Sequence, residues 1–130
     1  MGKLETLLQQ YRRDFWFDTP NLTIWTRSPA GTLPIHRASM VGSPEEIATL
    51  LEAGSDINAK GEDDFTPLHC AVEFDRPENV KLLLLHGASP TVRNRDGHTP
   101  RDLADLLDHK NCLEILTATS KGKGSGPQGD

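Results

Sequence analysis

The chain predicts an all-α solenoid of about three stacked helix-turn-helix units, each 33 residues long, with a capping helix ahead of them. Three observations carry that expectation. Pro34, Pro67 and Pro100 stand 33 residues apart in "LPIH", "TPLH" and "TPRD". The same offset carries His36 onto His69, Ala38 onto Ala71 and Ala104, and Gly54 onto Gly87. It also carries Leu50 and Leu51 onto Leu83 and Leu84, and Leu83 onward to Leu116. A fixed period of this length marks a repeat architecture, in which a unit buries its apolar face only by stacking on its neighbour. At 130 residues there is room for one domain and close to the minimum number of units.

Taken in order, Leu4, Leu7, Leu8, Tyr11 and Phe15 fall at helical spacing, while Glu5, Gln9, Arg12 and Arg13 lie off that stripe. Residues 1–24 are therefore expected to be a capping helix and lead-in. One period before Gly54 and Asn58 stand Asn21 and Trp25, so "NLTIWTRSPAG" reads as a finger leading into the first unit. The array is expected over 25–118, with units around 25–57, 58–90 and 91–118. In the first, Gly42-Ser43 makes the turn, Pro44-Glu45-Glu46 opens the second helix and Gly54 closes it. Leu33 stands where a capping threonine belongs, a loss of about 1 kcal/mol. Either Thr32 compensates or this unit is the softer one.

The second unit is the clearest. Thr66 suits an N-cap, and Pro67 suits the first helical position, where its missing N–H has no partner to lose. Leu68 and Ala71 follow three apart. Pro77-Glu78 opens a second helix, Val80, Leu83 and Leu84 recur at helical spacing, and Gly87 supplies a left-handed stop. Asp64 aligns with Gly31 and Gly97 at a turn, where Asp tolerates a left-handed backbone better than most residues. In the third unit, "TPRDLADLLDHKNCLEIL", Arg101 and Asp102 replace Leu-His, the polar change a terminal unit needs. Residues 119–130, ending in "SKGKGSGPQGD", have almost nothing apolar to bury and are expected to be a disordered tail.

The motifs "TPLHCAV", "VKLLLLHGASP" and "NRDGHTP", with "LPIHRAS" and "IATLLEAGSDINAKGED" one period earlier, resemble the ankyrin-repeat family over residues 25 to 118. The opening "DFWFDTPNLTIWTRSPAGTLPIHRA" is similar to small free-standing bacterial members. The resemblance implies a unit of turn, two antiparallel helices and a projecting finger, with His69 ordering its turn through Thr66 and the backbone. It also implies a non-enzymatic module binding a protein partner on its concave face, in some relatives to inhibit or give immunity to a toxin or effector. The alternative is a scaffold or assembly subunit, which would show a second large apolar patch on the convex side or the caps.

Carried over unit by unit, the partner-facing positions are Trp25, Arg27, Met40 and Val41, then Lys60, Glu62, Asp63, Phe65, Glu73 and Phe74, then Arg93, Arg95, His98, Leu106 and Leu107. Exposed aromatics beside arginine are what interface hot spots are made of. Phe65 is the strongest aromatic candidate, whereas Trp25 and Phe74 either face a partner or pack within the array. Arg27, Lys60, Arg93 and Arg95 all fall on fingers and are expected to form a basic row along the tips.

Other chemistries find little support. A net charge of -5 lacks the electrostatic footprint of nucleic-acid binding. Cys70 and Cys112, with no secretory leader pattern, fit a reducing cytoplasm, and no apolar run is long enough to span a membrane. His69 and Cys70 are neighbours on a helix and so do not face one another as a base and nucleophile would. His109 and Cys112 lack the further ligands a zinc site wants, "GEDD" lacks the alternating ligands of a calcium loop, and no phosphate loop is present. No cofactor, metal or catalytic residue is expected, and the free protein is expected to be a monomer.

Overall fold

The computed structural model describes residues 2–16 and 21–123, with side chains up to residue 118. Among them lie seven α-helices and no strand: α1 (Lys3–Asp14), α2 (Pro34–Val41), α3 (Pro44–Glu52), α4 (Pro67–Glu73), α5 (Pro77–Leu85), α6 (Pro100–Leu107) and α7 (Lys110–Lys123). Helices α2 to α6 each begin with proline, whose fixed φ suits a first turn that has orphan N–H groups anyway. Side-chain caps precede three of them. Ser43, Thr66 and Thr99 accept from the N–H groups of Glu46, His69 and Asp102 at 3.2, 3.3 and 3.1 Å. Leu33 has no acceptor to offer, and no side chain among the described residues, that of Thr32 included, caps α2. The Nδ1 of His36 takes the Leu33 N–H instead, at 3.0 Å.

Short turns join α2 to α3, α4 to α5 and α6 to α7 into helical hairpins. The first helices α2, α4 and α6 pack side by side in one layer, the second helices α3, α5 and α7 in the other, and α1 rests on α3. Leu50, Leu83 and Leu116, one period apart, are all buried between the layers. Fingers turn at Gly31, Asp64 and Gly97, all left-handed with φ of 99°, 62° and 84°, so Asp64 does occupy a glycine's place. The hairpin turns differ among themselves. Asp75 and Asp108 are left-handed at matching positions, whereas Gly42 is extended, and a Cβ on it would meet the Ala38 carbonyl oxygen at 2.8 Å.

Polar bonds tie unit to unit as well. His36 Nε2 donates to the Ala59 carbonyl at 2.7 Å, and His69 Nε2 to that of His98 at 2.8 Å, so each histidine holds the next finger. Between the hairpin turns, Asn79 Nδ2 donates to the carbonyls of Ser39 and Gly42, and His109 Nδ1 to that of Val72. All four histidine and asparagine donors thus satisfy carbonyls that would otherwise be stranded by burial.

The cap helix buries Leu7 and Tyr11, and the Tyr11 hydroxyl donates to Glu46 Oε1 on α3 at 2.7 Å. Trp16, which stood outside the expected stripe, is buried too, stacked on Tyr11 with centroids 6.3 Å apart. The Arg37 guanidinium sits 3.5 Å from the centre of the Phe15 ring. At the other end α7 runs to Lys123, so the segment expected to be disordered from 119 is helical over its first residues. Residues 124–130 of that expected tail lie outside the described residues.

Candidate partner-binding site

His69 and Cys70 can be settled first. His69 Nδ1 meets the Thr66 N–H and Oγ1 at 3.2 and 2.9 Å while Nε2 donates to His98, so neither nitrogen is left to act as a base. Burial, followed by the charge of Glu73, pushes the Cys70 thiol far up. A nucleophile needs the opposite environment. Cys112 is pushed up to about 12 by burial and by Asp75. Among the described residues no group of three or more His, Cys, Asp or Glu side chains is placed to hold a metal ion.

The surface positions divide into three sets. Between the first and second units lies a cleft of about 130 Å³ whose walls include Met40, Glu62, Asp63, Phe65 and Glu73. Five expected residues, drawn from two helices and a finger, are thus brought together. Glu62 to Asp64 form a single 3-10 turn that thrusts Glu62 and Asp63 over the cleft. Phe65 is half-buried on the core with its ring 5.4 Å from that of His69, less exposed than the sequence suggests. Burial, then the charges of Glu62 and Asp63, push the Glu73 carboxyl up.

The second set is an apolar stripe. Val41, Phe74 and Leu107 occur at one repeat position, the end of each first helix, and are 42%, 44% and 39% exposed. Leu106 is exposed beside Leu107. Trp25, at 59% exposed, does not pack into the array, and neither does Phe74.

The third set is the expected basic row, and here the fingers use the charges themselves. Arg27 and Arg93, two periods apart, each fold a guanidinium back onto a finger carbonyl, that of Gly31 or Gly97, at 2.7 Å. Arg27 also reaches the Lys60 carbonyl at 2.9 Å. Arg95 meets Asp63 at 3.5 Å and Arg93 meets Asp102 at 3.8 Å, exposed pairs that contribute little to stability. The His98 N–H donates to Asn94 Oδ1 while its carbonyl receives His69, so its backbone is structural. Lys60 is exposed. Sequence reasoning overlooked Arg76, whose Nε donates to the Met40 carbonyl beside the stripe; its backbone acceptor left no signal in the sequence.

Stacked helical hairpins with projecting fingers and a lined groove define a helical-repeat protein. Residues 50–104 match the family model described as ankyrin repeats (many copies), a match that supports an ankyrin-repeat protein. Ankyrin repeats generally mediate protein–protein interaction and are generally non-enzymatic. No curated protein matches the chain. No helix among the described residues is long and apolar enough to cross a membrane.

Proposed function

We propose that the chain is a non-enzymatic module that grips one protein partner along its first-helix face, as a monomer in a reducing cytoplasm. The observation that carries this reading is the exposed stripe of Val41, Phe74 and Leu107 at a single repeat position. Solitary exposed apolar residues need no explanation, but a row aligned by the repeat presents contiguous apolar area. On the second helices the exposed large apolar residue among those described is Leu85 alone, which favours the first-helix face over a scaffold role through the convex side. A dedicated inhibitor or immunity protein is the form of this reading that the sequence resemblance suggests, and the product of a neighbouring open reading frame is its first candidate partner.

The test is site-specific photocrosslinking in the native host. A benzophenone side chain at position 74 or 107 should capture the same protein, whereas one at Lys81 on α5 should not. Capture from position 81 in preference to 74 would move the interface to the convex layer and promote the scaffold reading.

A further inference from the structure

We propose that the partner inserts an arginine, flanked by apolar side chains, into the cleft between the first two units. This rests on the reading of the first-helix face as the binding surface and adds its chemistry. The stripe and cleft lie at the same ends of the first helices, because Met40 and Val41 close α2 while Glu73 ends α4 and Phe74 caps it. Along the stripe an occupant must be apolar. In the cleft a cation suits it best, since Glu62, Asp63 and Glu73 all line the same small cavity.

Charge complementarity therefore selects the occupant. An incoming cation relieves the repulsion among the three carboxylates, and the net charge of -5 steers cations toward the chain from a distance. That same charge opposes a second copy of the chain as occupant. Arginine fits better than lysine, because its planar guanidinium can stack on the half-buried Phe65 ring while donating two parallel bonds to a carboxylate. Met40 offers a pliable wall to its aliphatic stem. Of the basic finger residues, Arg27 and Arg93 are folded onto finger carbonyls, while Arg95 reaches Asp63 and leaves Glu62 and Glu73 without an ion pair among the described residues.

The experiment selects linear twelve-residue peptides from a random display library on the full-length protein and measures the winners by fluorescence anisotropy. Selected peptides should share an arginine next to leucine, phenylalanine or a similar residue. Glu62→Gln combined with Glu73→Gln should weaken them at least tenfold, replacing the peptide arginine by citrulline should do the same, and added salt should weaken wild-type binding. Phe74→Ala separates the two readings. Peptides that lose affinity with Phe74→Ala but bind the double glutamine variant within twofold of wild type would overturn the arginine proposal and leave the binding face intact. Indifference to both variants, an empty selection, or enrichment of acidic or uncharged peptides would overturn the proposal; indifference to Phe74→Ala would sink the binding face as well.

Discussion

Mild acid should loosen the array through His36 and His69. Each ring is buried, donates from Nε2 to a carbonyl and accepts a backbone N–H at Nδ1. Protonating Nδ1 would set a donor against a donor. Burial is the main reason both imidazoles are held below the ordinary value of 6.5, with Arg27 adding to the effect at His36 and Lys60 and His98 at His69. Because the folded value is depressed, stability is complete above about pH 6.5 and falls as pH drops, when the unfolded chain takes up protons that the folded chain refuses. At pH 5.5 the upper limit is about 1.4 kcal/mol for each ring and about 2.8 kcal/mol for the pair. Glu73 works with the opposite sign, since its raised folded value favours the protonated form in the native state. Urea unfolding followed by circular dichroism at pH 7.5, 6.5 and 5.5 measures the slope, and His36→Gln or His69→Gln should each remove about half of it. A wild-type change under about 0.5 kcal/mol across that range, or single variants that keep the full slope, would refute the assignment of both rings as neutral.

Other outcomes are equally open to measurement. Leu83→Ala, at a fully buried position, should cost about 2–5 kcal/mol in equilibrium unfolding. Gly61→Ala would place a methyl 2.8 Å from the His36 ring and should cost about 1–3 kcal/mol, visible as a lowered urea midpoint. Cys70 and Cys112, both buried with thiols pushed up, should resist a disulfide reagent in the folded protein at pH 8 and react promptly in denaturant. Once a partner is in hand, Phe74→Ala should weaken its binding by about 2 kcal/mol or more, while reversing the charge of Glu52 should change it by under about 0.5 kcal/mol in calorimetry.

The array was legible because its period is carried by residues with a local reason to be where they are. Proline at a first turn, threonine before it and glycine after a last turn can each be justified from a few neighbours, and the structure places them accordingly. Bonds that cross between units were harder to read. His109 holds Val72 and Asn79 holds Ser39 and Gly42 across 37 to 40 residues, and the residue types alone do not announce such partners. The finger arginines looked like free cations for the same reason: their acceptors are backbone carbonyls, which every residue owns and no sequence pattern marks. Trp16 escaped the helical stripe because the helix has already ended at Phe15, so its burial depends on how the chain turns afterwards. Phe65 looked exposed from its finger position, yet the following helix brings the His69 ring against it.

The histidine bonds give the stack a direction. Each points downstream, from the start of one unit's first helix to the finger of the next, His36 to Ala59 and His69 to His98. At the third unit the corresponding residue is Asp102, whose carboxylate accepts the Thr99 N–H at 3.1 Å and thereby keeps the cap. Ionised, it has no proton to offer a further carbonyl. The substitution preserves what the helix needs locally and removes the bond by which each earlier unit holds the next finger, so a unit placed beyond this one would have to dock without that histidine contact.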